Sequence, residues 1–387
     1  MNILIITSAK YPEGDAESVR LHTFGKLLRD IGNHVYFVGM GYSNYLECLE
    51  YDGFQYTSLR KKAGSKFQKI YFYINYKKRL ESFLNSHFRC NKVDVILIAD
   101  LPTFVTNWLK DFCSFHSIDL IVDSVEWFSP GQFKMGLLSP GMILKNIENR
   151  YVIDKKVKVI AISKYLESHF INKGCIAVRI PVILDVMNLE FNKVVDPRKL
   201  TVLYAGSPGK KDYVPEMLRG VLLLTDREKA KINFIFAGVS IDDIKKLFSS
   251  EEIYQIKKCV EFLGRIEREK VLKLLAQADF TILLRSQEQR YAKAGFPTKV
   301  VESLATATPV MLNITSDLGD YINDMSEGII IKDCTATECA SAIKRAISLD
   351  YSQREFMKKN ARLCAETNFD YRLYEESLKI LFTEDTK

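Results

Sequence analysis

The residues best placed for chemistry fall in one stretch, ADFTILLRSQEQRYAKAGFPTKVVESLATATPVMLN, residues 278–313. A strand ends at Leu284 and Arg285, a loop of about a dozen residues follows, and Gly295, Phe296 and Pro297 open a helix that begins with Thr298 and Lys299. Proline suits a first helical turn, and glycine lets a ligand approach the backbone closely. The N–H groups behind them have no intrahelical acceptor, so with the helix dipole they favour an anion. Thr298 and Glu302 share a helix face. A carboxylate one turn in from a phosphate site could accept hydrogen bonds from sugar hydroxyls, as a nucleotide ribose would require.

A second anion signal is YAGSPGKKD, residues 204–212. Here Gly206 ends a strand, Ser207 opens the loop, and Lys210 or Lys211 stands close to the start of a helix near Tyr213. A lysine pair by itself is equally an ordinary solvated loop. In the opening turn, TSAKYPEGDAESVRLH carries one glycine, Gly14, with Arg20 and His22 in the helix that follows. That turn lacks the G-x-G-x-x-G of a dinucleotide site. Its residues could face a ligand or form a plain helix start. Glu126 lies on the loop beyond the carboxyl end of the strand DLIVDS, where a helix cap or structural ion pair is the plain reading. The other histidines show no metal-like spacing, no Asp-x-Asp is placed as a cation site, and the eight cysteines form no C-x-x-C pair.

The elements that must position these groups follow a regular rhythm. Short runs apolar on both faces, at 2–7, 34–39, 93–99, 119–124 and 157–163, and again at 201–206, 231–238, 259–264, 279–284, 309–313 and 328–333, alternate with helical periods. Parallel sheets covered by helices require this pattern. With 387 residues, 47% hydrophobic and 27% charged, the chain has room for about two domains of ordinary globular composition. The pattern weakens after residue 185. We therefore expect an α/β chain of two doubly wound, Rossmann-like domains, 1–185 and 186–370, facing a central cleft, with 371–387 a final helix crossing back to the first.

The quoted segments, together with DSVEWFSPGQF, AISKYLESHF and IPVILD, resemble the retaining family 4 glycosyltransferases of the GT-B fold (glycosyl transferases group 1) over nearly the whole chain. The resemblance implies that the second domain binds a nucleoside-diphosphate sugar through Gly206, Ser207, Lys211, Arg285, Gly295, Phe296, Pro297, Thr298, Lys299 and Glu302, with Lys211 on the diphosphate and Glu302 on the ribose. The first domain would bind a saccharide acceptor, a lipid-linked one included, through Gly14, Arg20, His22 and Glu126. Glu126, Lys211 and Arg285 are the expected catalytic groups, with no metal and no cofactor beyond the co-substrate. Two positions depart from the family pattern. Ala294 stands where the first of two spaced glutamates is usual, and Ser207 replaces an arginine, so Arg285 or Arg290 would supply the missing charge. A binding subunit without turnover and a GT-B sugar-nucleotide epimerase are the alternative readings.

Charge is uneven. Residues 60–92 hold ten basic residues and one acid, Glu81. Phe67, Ile70, Tyr71, Ile74, Phe83 and Leu84 fall mostly on one helical face there. This fits either a helix lying on an anionic membrane or one packing on the sheet. With no signal peptide and no membrane-spanning run, the expected location is cytoplasmic, or peripheral at the inner face of the plasma membrane. Nucleic acid is not an expected partner.

Overall fold

The computed structural model describes residues 1–12, 15–40, 47–59, 66–89, 91–189, 199–207 and 209–382, without the side chains of 66–70. The chain divides into two compact units. The first comprises residues 1–128, 137–184 and 371–387, the second 129–136 and 185–370.

Among the described residues the first unit holds eight strands: β1 (Asn2–Thr7), β2 (His34–Gly39), β3 (Cys48–Tyr51), β4 (Phe54–Ser58), β5 (Val95–Ala99), β6 (Asp119–Ser124), β7 (Lys158–Ala161) and β8 (Ala177–Arg179). They lie in the order β3-β4-β2-β1-β5-β6-β7-β8, all parallel except β3, which pairs antiparallel with β4 at the edge. The register pairs Ile3 with Val35 and Val95, and Leu97 with Ile121. Helices α1 (Ala16–Asp30), α2 (Lys66–His87), α3 (Thr103–His116), α4 (Pro140–Ile147) and α5 (Lys164–Asn172) cross between strands. Burial of both sheet faces explains the near-continuous Val, Ile and Leu of β1 and β5. On one face Ile3, Ile5, Val95 and Leu97 meet Leu21, Phe24 and Leu28 of α1. Tyr371, Leu378 and Leu381 join that same cluster, and the Tyr371 hydroxyl donates to Asp30 at 2.7 Å. The C-terminal segment is thus part of this unit's core.

In α2 the buried residues are Phe72, Tyr76, Leu80, Phe83 and Leu84, spaced for one helix face. Tyr71 and Ile74, expected beside Phe83 and Leu84, instead face solvent at 63% and 66% exposure. Residues 60–65 and the side chains of Phe67 and Ile70 lie outside the described residues.

Among the described residues the second unit has six parallel strands: β9 (Leu200–Ala205), β10 (Ile232–Ala237), β11 (Val260–Gly264), β12 (Phe280–Leu283), β13 (Val310–Leu312) and β14 (Gly328–Ile330), ordered β11-β10-β9-β12-β13-β14. The helices begin with α6 (Val214–Leu222), α7 (Asp226–Lys229), α8 (Ile241–Ile244), α9 (Ser250–Lys257) and α10 (Arg268–Gln277). After these come α11 (Arg290–Ala294), α12 (Thr298–Ala305), α13 (Ala336–Ser348) and α14 (Tyr351–Asn368), while α15 (Glu375–Lys379) belongs to the first unit. Leu275 of α10 packs on Leu203 and Ile235. The strand order reverses at β9 and β12, where the loops after adjacent strands diverge and ligand sites of open α/β sheets form.

Candidate active site in the second unit

The loop after β9 and the end of β12 are tied together at this reversal. Asp212 and Arg285 form an isolated antiparallel bridge, and the Tyr213 N–H donates to the Leu284 carbonyl at 3.0 Å. Asn313, just past β13, fixes the same point. Its Oδ1 accepts from the Arg285 N–H at 2.9 Å and its Nδ2 donates to the Arg285 carbonyl at 2.6 Å.

The centre of the site is Asp212, whose side chain is 2% exposed. Its Oδ1 accepts from Arg285 Nε at 2.7 Å, and its Oδ2 from Lys299 Nζ at 2.6 Å and from the Tyr204 hydroxyl at 2.8 Å. Burial pushes the Asp212 carboxyl up, but Lys299 and Arg285 outweigh it and hold it below the usual carboxylate range. Burial draws the Lys299 ammonium down, with Asp212 opposing and Arg285 adding to the fall. Lys299 Nζ also stands 4.6 Å from the centre of the Tyr204 ring.

This arrangement demands glycine at two positions. A Cβ on Gly206, at φ 152°, would lie 2.3 Å from Lys299 Nζ. One on Gly238, at φ 92°, would lie 2.2 Å from the Gly206 carbonyl oxygen. The backbone of Gly206 therefore lies directly against the Lys299 ammonium.

Helix α12 begins at Thr298 with Pro297 as its N-cap. It is anchored by the Ser303 and Thr281 hydroxyls, 2.7 Å apart. Glu302, one turn in, pairs with Arg268 of α10 at 2.8 Å. Burial raises its carboxyl, against Arg268 and Lys299. Lys211 is half-buried, and its carbonyl accepts from the Tyr291 hydroxyl of α11 at 2.9 Å. Ser207 is exposed.

Of the expected donor residues, the structure thus gathers Gly206, Arg285 and Lys299 around one carboxylate. Phe296 does something else. It is 5% exposed, with its ring centre 5.8 Å from those of both Tyr321 and Phe369, so it anchors the loop in the core instead of presenting a surface to a ligand. Gly295 is the C-cap of α11 and Pro297 is buried. Ala294 is wholly buried. Asp212, the hub of the cluster, was not among the expected site residues, because its partners stand 73 and 87 positions away. The one local signal was an acid directly after the lysine pair.

In the first unit Arg20 is not a surface contact for an acceptor. At 4% exposure it donates from Nε and Nη2 to both Asp123 oxygens at 2.8 and 2.9 Å, from Nη2 to the Ile180 carbonyl at 2.9 Å, and from Nη1 to the Pro181 carbonyl. A guanidinium in low dielectric needs such a full set of acceptors, and these hold α1 to β6 and to the segment after β8. His22 has both ring nitrogens engaged, Nδ1 with the Tyr11 hydroxyl at 3.0 Å and Nε2 with Asp52 at 2.9 Å. Burial lowers its basicity, against the Asp52 hydrogen bond. Gly14 lies outside the described residues. Glu126 is half-buried beyond the end of β6 and acts electrostatically on Asp100 and Lys145. Among the described residues, no group of three or more His, Cys, Asp or Glu could hold a metal ion, and no helix is long and apolar enough to cross a membrane.

Residues 187–363 match the family described as Glycosyl transferases group 1. No curated protein matches the sequence. Among solved structures, sucrose-phosphate synthase from Thermosynechococcus elongatus is similar at TM-score 0.72 and 16% identity, over 98% of each chain. WaaG, a glycosyltransferase involved in lipopolysaccharide biosynthesis, is similar at 0.70 and 13%, over 99% of this chain and 100% of that one. Anabaena HepE in complex with UDP and glucose is similar at 0.65 and 17%, over 97% and 98%. At these identities the likeness establishes the fold, which is GT-B. Residues 187–363 are thus similar to the glycosyl transferases group 1 family, and the chain has the GT-B fold.

Proposed function

We propose that this protein transfers a hexosyl group from a nucleoside-diphosphate donor to a hydroxyl of a saccharide acceptor, with retention at the anomeric carbon. The observation that carries this reading is the cation pair Arg285 and Lys299, held on Asp212 against the Gly206 backbone, in the unit where α12 begins and Glu302 follows one turn in. Cations fixed before the substrate arrives stabilise charge on a departing diphosphate without reorganising, which is electrostatic catalysis. Lys211 adds positive charge from the same loop. Two cations, one anion and a helix N-terminus leave a net positive field for the leaving group, so the reading assigns no metal to the reaction. Glu302 would take the ribose hydroxyls, with Arg268 compensating its charge. Glu126 would contact the acceptor hydroxyl from the first unit.

A UDP-sugar is the first donor to test, because HepE shares the fold and its structure holds UDP and glucose. Synthesis of a cell-surface polysaccharide, such as capsule or lipopolysaccharide, is the proposed setting, in the cytoplasm or at the inner face of a membrane. The exposed Tyr71 and Ile74, with Lys78 on the same face of α2, support contact with an anionic lipid surface carrying a lipid-linked acceptor.

A panel of sugar nucleotides screened by thermal shift tests the donor site, since a ligand that binds the folded state raises Tm. Lys211→Ala and Glu302→Ala should each weaken donor binding by about 1–3 kcal/mol, or roughly 5- to 150-fold. Donor affinity unchanged in both variants would refute the assignment. A second reading, a binding subunit without turnover, is favoured by one observation: Asp212 neutralises part of the charge that Arg285 and Lys299 would offer. It predicts sugar-nucleotide binding with no release of nucleoside diphosphate for any acceptor.

A further inference from the structure

A cavity of about 260 Å³ opens in the first unit at the carboxyl ends of β1 and β5, walled by α2 and α4. Its charged lining is Asp100, Lys145 and Glu148, with the Ser8 and Thr103 hydroxyls beside them, and its aromatic lining includes Phe72 and Tyr73. Asp100 follows β5 in the left-handed region, at φ 47°, a conformation that Asp tolerates better than most residues. The Ser8 hydroxyl donates to the Asp100 carbonyl at 2.5 Å and stands 3.1 Å from its Oδ2. Lys145 is already matched, 2.7 Å from Glu148, whose other oxygen accepts from Thr106 at 3.2 Å. The lining thus carries two carboxylates to one ammonium, and the Asp100 side of the cavity is the side open to solvent. Tyr73, 43% exposed and edge-on to Phe104 at 5.7 Å, adds an aromatic ring to the same wall.

Groups of opposite type respond to this surrounding alike. Burial pushes the Asp100 carboxyl up, Lys145 opposes, and Glu148 and Glu126 add to the rise. Burial draws Lys145 down, yet Glu148, Asp100 and Glu126 raise it above its ordinary value. Burial lifts the Tyr73 hydroxyl, and Asp100 and Glu148 lift it further. A cation in the cavity gains from that field, and an anion loses.

We propose that this cavity is a binding site for a primary ammonium group carried on a sugar ring, with the Asp100 carboxylate as its counter-ion and Tyr73 as the ring it lies against. The volume is below the ~300–1,000 Å³ of sites for drug-sized ligands, which limits the occupant to about one monosaccharide. Calling that amino sugar the acceptor rests on the transfer reading above; the ammonium site does not.

The test is calorimetric titration of the full chain at about pH 6.5, where the amine is charged, with methyl glucosaminide, methyl N-acetylglucosaminide and methyl glucoside. The amine should bind at least ~10-fold more tightly than the two neutral sugars and weaken with added salt. Asp100→Asn should abolish that difference, and Tyr73→Leu should reduce it several-fold (about 3- to 5-fold). Thermal stabilisation by UDP, measured in the same samples, should be unchanged in both variants. Equal affinity for all three sugars, an amine affinity insensitive to both substitutions, or no amine binding at about 10 mM would overturn the proposal. Failure of UDP to bind while the amine still does would instead sink the donor-site reading and leave this one standing.

Discussion

Replacing Asp212 with Asn removes the charge on which the second unit's cluster is built. In the wild type its two oxygens accept from Arg285, Lys299 and Tyr204 at 2.6–2.8 Å, and the three side chains of the ion cluster are 2%, 17% and 22% exposed. Breaking a buried ion pair costs about 3–5 kcal/mol, because the partner charge stays behind without its counter-ion. Here two cations stay behind and face each other. Asn preserves the shape and the hydrogen bond from Tyr204, so the lower end, about 3 kcal/mol, is the expectation. For a unit of this size that is a fall in Tm of roughly 6–12 °C. The pH dependence carries the same sign. A carboxyl held below its unfolded value stabilises the fold above the ordinary carboxylate range and loses that contribution as pH falls through its folded value, so wild type and variant should converge in acid. Pyrophosphate supplies the missing negative charge and should raise the Tm of Asp212→Asn more than that of the wild type. Scanning fluorimetry with and without pyrophosphate measures both quantities. A loss below about 1 kcal/mol, or a variant no more responsive to pyrophosphate than the wild type, would refute the view that Asp212 holds two cations ready for a phosphate group.

Two further substitutions check the first unit. Arg20→Ala should cost about 3–5 kcal/mol, because it strands Asp123 in the interior, while leaving UDP affinity at the wild-type level; a chemical-denaturation shift near zero would mean that the Arg20–Asp123 pair is dispensable. Burial, with Asp100 adding and a hydrogen bond from Thr7 opposing, pushes the Glu17 carboxyl up to about 8. An acid raised in the folded state contributes most below its unfolded value and loses that contribution as pH rises through its folded value. Wild-type stability should therefore decline from about pH 5 to pH 8, and Glu17→Gln should flatten that slope. Identical pH profiles for the two proteins would refute the assignment of Glu17 as a half-buried, protonated acid.

The strands of both sheets could be read in advance because a parallel strand covered on both faces must be apolar throughout. VILIA and INFIFA satisfy that demand without any knowledge of their neighbours. The edge strands β3 and β8, and β4 beside β3, could not. CLEY alternates exposed and half-buried residues, and FQYTS carries polar groups at the sheet margin, so neither offers the uninterrupted apolar run that marks its neighbours. The helix α12 was likewise legible because its signals are local: glycine, proline and a carboxylate all fall between Gly295 and Glu302.

Ion pairs have no such local signature, and this changes how cations in the sequence translate into binding capacity. Arg20, Arg285 and Lys299 each stand where a substrate anion or hydroxyl could be met, and each has a buried carboxylate as its nearest charge, 103, 73 and 87 positions away. The outcomes nonetheless differ. Arg20 is sealed at 4% exposure with its donors shared between Asp123 and two carbonyls, so it can meet no ligand without unfolding its surroundings. Arg285 and Lys299 share a single carboxylate and keep about a fifth of their surface accessible. One anion between two cations leaves a charge of +1 at the switch point of the sheet. The anion-binding power of that site is therefore set by the ratio of cations to carboxylates in the fold and not by the count of lysines and arginines in its loops, so any substitution that alters Asp212 should act on phosphate binding as strongly as one that alters Arg285 itself.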